Sequence, residues 1–170
     1  SWISDRGTGG GSDPNPFFCF SFPAPVALQS IAWGRDNGDA VEGACGGTCR
    51  DRNIGIYTLQ FTQVLGAAAD TAETGDPATG WADIGTVEYK GGADSREFSG
   101  YLRHRFKVSQ GCAVFNASSI RIKVSDGLTC VDELEVNPPA DPIPPLSNFL
   151  VIASQPGFSI DWDGNNGKLN

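Results

Sequence analysis

Apolar and polar residues alternate with period two in several stretches of the chain, each bounded by Gly, Pro, Asn or Asp, and no window of helical period competes with them. In IGIYTLQFTQV, residues 54–64, Tyr57, Leu59, Phe61 and Gln63 share one face while Ile56, Thr58, Gln60 and Thr62 share the other. In YLRHRFKV, residues 101–108, Leu102, His104, Phe106 and Val108 face one way and Tyr101, Arg103, Arg105 and Lys107 the other. The single His is therefore expected to look inward. FFCFSF, residues 17–22, sets Phe18, Phe20 and Phe22 on one face and predicts an edge strand ended by Pro23. VALQSIAW, residues 26–33, and WADIGTVEY, residues 81–89, add two more strands.

The clearest pattern is IRIKVSDGLTCVDELEV, residues 120–136. It predicts a β-hairpin turning at Asp126-Gly127, with Ile120 opposite Leu134 on the core face and Arg121 opposite Glu133 on the wet face. That register points Asp132 inward. It also lets Glu133 and Glu135 pair with Arg121 and Lys123, each pair contributing roughly 0.2–1 kcal/mol. The class read from these elements is all-β.

Between the strands lie two loops of different character. Residues 34–53, GRDNGDAVEGACGGTCRDRN, are too many for a hairpin turn and rich in Gly, Asp and Asn, which marks them as a candidate binding loop. Arg35, Asp36, Asn37, Asp51 and Arg52 there offer donors and acceptors suited to sugar hydroxyls, with Trp33 or Trp81 as a stacking platform. The competing reading has Arg35 and Asp51 bracing the loop and both tryptophans in the core. Residues 67–80 are small and polar and read as a plain connection. GTGGGS at 7–12 lacks the Lys and following helix of a phosphate cradle and reads as another loop.

After Val136 the composition changes to NPPADPIPPLS, so a domain boundary is expected there, with residues 1–136 as one domain, 137–147 a stiff proline-rich linker, and 148–170 a strand-like tail or the start of a following domain. Within that tail FLVIAS is apolar on both faces. Phe149, Leu150, Val151 and Ile152 need a cover, which a neighbouring copy of the chain, the chain's own sandwich or a following domain would supply. Asp161-Trp162-Asp163-Gly164-Asn165 begins like a calcium loop but is closed by no Glu, and a turn is the simpler reading.

A net charge of −8 over 170 residues excludes nucleic-acid backbones and anionic membranes as long-range partners. No apolar run reaches the ~20 residues that span a bilayer. The absence of Met leads to the expectation that the chain is a processed or excised piece. Five cysteines point to an oxidising, extracellular setting. Cys45 with Cys49 and Cys112 with Cys130 are the expected disulfides, leaving Cys19 over. Zinc is the rival use of these residues, but two closely spaced pairs are missing. Catalysis finds little support, because one inward His assembles no nucleophile and base, and neither HExxH nor G-x-S-x-G occurs.

WGRDNG at 33–38, CRDRNIGIYTLQFT at 49–62, WADIGTVEY, LRHRFKV and the 120–136 stretch, in that order, resemble bacterial members of the discoidin family, the coagulation factor 5/8 C-terminal type, over residues 1–136. The resemblance implies a jelly-roll β-sandwich of two antiparallel sheets, without catalysis, that binds glycans or cell-surface material through loops at one end. It also implies a structural calcium near the last strand, with Glu133 as the matching ligand. The family's domain begins further upstream than this chain, with a strand and loop that help hold that calcium. Their absence leaves a sheet edge unfilled, so the expectations divide between a recognition module and a subunit of an extracellular filament built by strand donation from the tail.

Overall fold

The computed structural model describes residues 2–3, 16–34, 55–89, 103–124, 130–137, 149–154 and 156–162. These are all strands and turns. The strands are β1 (Trp2–Ile3), β2 (Phe17–Leu28), β3 (Ser30–Gly34), β4 (Gly55–Thr62), β5 (Ala82–Tyr89), β6 (Arg103–Gln110), β7 (Phe115–Val124), β8 (Cys130–Val136), β9 (Phe149–Ser154) and β10 (Phe158–Trp162). No helix long and apolar enough to cross a membrane occurs among the described residues.

Two antiparallel sheets result, one ordered β1-β8-β3-β6-β10 and the other β2-β7-β4-β5-β9. The first eight strands obey a mirror rule about the β4–β5 connection: β4 pairs β5, β3 pairs β6, β2 pairs β7 and β1 pairs β8. This is the path of one long hairpin folded over itself into two layers. The period-two pattern then supplies one apolar face per sheet. Leu28, Tyr57, Leu59, Phe61, Ile84, Val87, Phe115, Ile120 and Ile122 from the second sheet meet Ile31, Trp33, Phe106, Val108, Val131 and Ile160 from the first. Trp33 stacks on Phe106 at 5.0 Å between ring centroids, and Phe61, Phe115 and Phe158 meet edge to face at 4.6–5.4 Å, each pair adding about 0.5–1.5 kcal/mol beyond its buried area.

The mirror rule corrects the 120–136 hairpin. β7 pairs β2 and β4, whereas β8 pairs β1 and β3, so the two strands lie in opposite layers and Arg121 never meets Glu133. Local alternation shows that two runs are strands, but it does not show that neighbours in sequence are neighbours in a sheet. A bulge corrects the phase as well. Trp33 faces Leu134 and Gly34 faces Asp132, which leaves Glu133 as the extra residue on β8. Across that bulge the core positions become Val131, Leu134 and Val136, so the strict alternation that pointed Asp132 inward does not hold through β8.

Of the covers expected for the tail, the structure shows the chain's own sandwich. β9 pairs β5 and β10 pairs β6, so these are the outermost strands among the described residues, one per layer. Phe149, Leu150 and Val151 stand opposite Tyr89, Glu88 and Val87, and Ile152 lies at a register shift. Phe158 and Ile160 pack into the core.

The predicted strand 26–33 is two strands. Residues 26–28 complete β2, and the chain crosses to the other layer at Gln29 to begin β3. Asn137, assigned by composition to the linker, holds this corner. Its side-chain Oδ1 accepts from the Gln29 and Ser30 N–H groups at 2.7 and 3.1 Å, and its Nδ2 donates to the Ala27 carbonyl at 2.6 Å. Its own N–H donates to the Ser30 carbonyl at 2.8 Å. A φ of 51° accompanies this grip, a left-handed conformation that Asn tolerates better than most residues. Asn137→Ala is expected to cost about 1–2 kcal/mol in urea unfolding, while Asn137→Gly, which relieves the backbone but loses the amide, costs less. Equal losses for the two variants would show that the backbone conformation contributes nothing.

Candidate functional site

The outer face of the second sheet is not a wet face. Because Ile120, Ile122, Leu59, Phe61, Ala82 and Ile84 turn inward, their neighbours Arg121, Gln60 and Asp83 turn outward, and the register sets Cys19, Arg121, Gln60 and Asp83 in one row across four strands. The β4–β5 connection, residues 63–81, folds back over this row. It is shaped by its own short-range bonds: Gln63 N–H to Pro77 O at 2.7 Å, Thr74 N–H to Trp81 O at 2.9 Å, and an Asp76 carboxylate accepting from the Ala78 N–H at 2.9 Å. Gly75, at φ 79°, takes a turn that side chains resist.

Arg121 is the post to which that loop is tied. Only 3% of it is exposed. Its Nε donates to Gln60 Oε1 at 2.7 Å, and one terminal nitrogen donates to the Ala69 and Thr71 carbonyls at 2.6 and 2.9 Å. The other terminal nitrogen lies 3.7 Å from Glu73 Oε2. Gln60 Nε2 in turn donates to Asp83 Oδ1 at 2.6 Å, which fixes the amide's orientation. Below the guanidinium lies the Trp81 ring, 4.3 Å from its carbon to the ring centroid, with its indole N–H donating to Ala68 O at 3.0 Å. Desolvation lowers the pKa of Arg121, and Glu73, Cys19, Asp83 and Asp70 oppose that shift. The group stays charged. A planar fork with five N–H groups suits this place better than an ammonium would.

Beside this post the surface hollows out. Phe17, Asp70, Thr71, Ala72, Glu73, Arg121 and Lys123 line an open concavity of about 530 Å³. Phe17 comes from the start of β2, with the Arg121 guanidinium 5.5 Å from its ring centroid. Lys123 Nζ reaches Glu73 Oε1 at 3.3 Å. Glu73 is held below the usual carboxylate range, first by its own backbone N–H and then, against some desolvation, by Lys123 and Arg121. It is therefore a permanent anion near neutral pH, an acceptor and not a proton donor. The Cys19 thiol is pushed up by burial, against a Ser21 hydrogen bond and Arg121, and stays protonated near neutrality.

Arg35, Asp36, Asn37, Asp51, Arg52, Cys45 and Cys49 lie outside the described residues. The ends of their loop, Gly34 and Gly55, are at the same end of the sandwich as Phe17 and Lys123. Glu133 is described only as the bulge of β8. Trp33 and Trp81, offered as sugar platforms, are 1% and 0% exposed and serve the core and the Arg121 post. His104 lies in β6, in register with Trp33. Cys112 carries a free thiol, so the expected bond to Cys130 is absent. The reason is topological. Cys130 starts β8 at the Gly34 and Arg103 end of the first sheet, and Cys112 lies past Gln110, a full β6 of 8 residues away, or roughly 25 Å at ~3.3 Å per residue. A disulfide tolerates at most ~7 Å between Cα atoms.

Sequence reasoning missed Arg121, Glu73 and Phe17 as a group. The signal available was the pair Gln60 and Arg121 at outward positions, beside a connection too long for a tight turn. No family model matches the chain, and no curated protein or solved structure matches it.

Arg121→Lys leaves the Gln60, Ala69 and Thr71 acceptors short of donors and is expected to lower stability by roughly 2–4 kcal/mol in denaturant unfolding. A loss under ~1 kcal/mol would mean that the loop holds itself. Because the folded-state pKa of Glu73 lies below its ordinary value of 4.5, its contribution is complete above that value and is lost as pH falls through the lower, folded pKa. The Trp81 indole N–H signal in NMR should therefore shift and exchange faster in acid. In Glu73→Gln that acid step should be missing.

Proposed function

We propose that the protein is a non-catalytic extracellular recognition module that binds glycans or similar polyhydroxyl cell-surface material in the hollow beside Arg121. The observation that carries this reading is the pairing of an aromatic wall, Phe17, with polar groups of both signs, the paired Lys123 and Glu73 and the exposed Asp70, in one open concavity. A sugar presents C–H faces to a ring and hydroxyls that both donate and accept, and this lining offers partners for each. The charge pattern supports the same choice. A net charge of −8 disfavours nucleic acid, and Lys123, the one accessible cation among the described residues lining the hollow, is already paired with Glu73.

Several finer expectations belong to this reading. The strand orders 1-8-3-6 and 2-7-4-5 support a jelly roll, in which two Greek keys wrap into facing sheets. The discoidin-like motifs support an adhesive task at the end of the sandwich where the 34–53 loop emerges. Calcium at Glu133 rests on that resemblance alone, and no three His, Cys, Asp or Glu side chains converge among the described residues. The reading is non-catalytic: Glu73 is tied to Lys123 and faces Arg121, which makes it a fixed acceptor for ligand hydroxyls.

Glycan-array screening followed by calorimetry, with calcium and with a chelator, tests the reading. Binding by the wild type should fall at least tenfold in Phe17→Ala and in Lys123→Ala, with thermal unfolding little changed. If no glycan class binds under either condition, or if both variants bind as the wild type does, the hollow is not a recognition site.

A further inference from the structure

We propose that the hollow beside Arg121 selects neutral sugars over acidic ones, with one ligand hydroxyl bridging Arg121 Nη2 and the Glu73 carboxylate. This rests on the reading of the hollow as a glycan site and names the class of glycan it takes. The guanidinium supplies the first observation. Its Nε and Nη1 commit their N–H groups to Gln60 Oε1 and to the Ala69 and Thr71 carbonyls. Nη2 carries two more N–H groups. The anion it faces, Glu73 Oε2, stands at 3.7 Å, too far for a hydrogen bond, and no acceptor among the described residues meets it. Although only 3% exposed, Arg121 lines the hollow, and Nη2 is not among the unpaired polar atoms sealed from solvent. A buried cation thus holds an unused donor toward the cavity.

The gap between the two charges is the second observation. A hydroxyl oxygen about 2.8 Å from each end spans the 3.7 Å, accepting from Nη2 while its own proton goes to Glu73. Only a group that accepts and donates at one atom serves both ends. An ether or carbonyl oxygen leaves Glu73 unmet, an ammonium is repelled by Arg121, and a carboxylate is repelled by Glu73. Water meets the same requirement, and a sugar exceeds it by the C–H face it can lay against Phe17.

The third observation is the balance of charge. Asp70, Glu73, Arg121 and Lys123 are the charged groups of the described lining, two of each sign, and Lys123 already holds Glu73 at 3.3 Å. An acidic sugar enters as a further carboxylate and must separate Glu73 from Lys123 before it finds a cation of its own. The net charge of −8 adds to that repulsion. Nearby groups suit a neutral polyol. The Thr71 hydroxyl donates to the Ala68 carbonyl at 2.9 Å and keeps its lone pairs for a ligand hydroxyl, while Lys123 has N–H groups beyond the one that meets Glu73.

Calorimetry on the full chain near neutral pH tests this with paired oligosaccharides. Oligomers of galactose, mannose and glucose are set against oligomers of galacturonate, mannuronate and glucuronate, which carry a carboxylate in place of the hydroxymethyl group. A neutral oligomer should bind about tenfold or more tightly than its acidic counterpart, and Glu73→Gln should close that difference, because an amide does not repel a carboxylate. Deoxy analogues of the bound neutral sugar should show one hydroxyl whose removal costs about tenfold or more in the wild type and less in Glu73→Gln. Acidic oligomers that bind as tightly as neutral ones, or a preference that survives unchanged in Glu73→Gln, overturn the inference and leave the hollow a glycan site. Binding by neither class overturns both. Should Glu73→Gln not fold, the deoxy series on the wild type decides, and equal losses at every hydroxyl overturn the bridge.

Discussion

A hairpin folded across two layers leaves one strand beside its central connection with an open edge in each layer, and this constraint organises the molecule. β4 lies inside its sheet, but β5 ends one layer of the mirror-paired set and β6 ends the other. Backbone groups along those edges must find partners, in water or in protein. β9 and β10, which pair with these edges and not with each other, answer both at once, with the turn at Pro156–Gly157 leading into β10. The Gly111 N–H donates to the Gly157 carbonyl at 2.6 Å, which ties that turn to the tight β6–β7 connection.

The same folding scheme explains why one outer face became a site. The β4–β5 connection has to turn back over a sheet, and a row of polar side chains waits beneath it. Arg121 converts that row into an anchor by meeting carbonyls of the loop that would otherwise be left short of donors. The cost of drying a guanidinium is offset by Gln60, by the Trp81 face and by a partly exposed Glu73. The hollow is what remains between the anchored loop and Phe17. Its walls are fixed by the packing of Arg121, so the geometry offered to a ligand is set largely before the ligand arrives.

Much of this was legible in order and little of it in pairing. Tyr57, Leu59, Phe61, Phe106, Val108, Ile120 and Ile122 were all readable as inward from period two, and all are buried. The 120–136 hairpin was misread because alternation in each run is satisfied equally by a partner three residues away or a hundred. β7 takes β2, nearly a hundred residues upstream, and Ser119 Oγ donates to Ser21 Oγ at 2.9 Å across that pairing. The bulge at Glu133 was invisible for a similar reason. An extra residue changes the phase of a strand only relative to a neighbour, and the neighbour, β3, is not named by the local sequence.

By itself, then, the sequence determined the strand class, the apolar inner faces and the connection between β4 and β5, because these depend on side-chain period and on runs of small and polar residues, which act over a few residues. Tertiary structure alone decided which strands meet, that Asn137 closes a corner instead of opening a linker, that Cys112 and Cys130 stand at opposite ends, and that a charged residue in an outward position is dry. Those outcomes follow from the closure of two sheets around one core. Burial of Arg121 depends on a loop drawn from another part of the chain, and no local pattern carries that information.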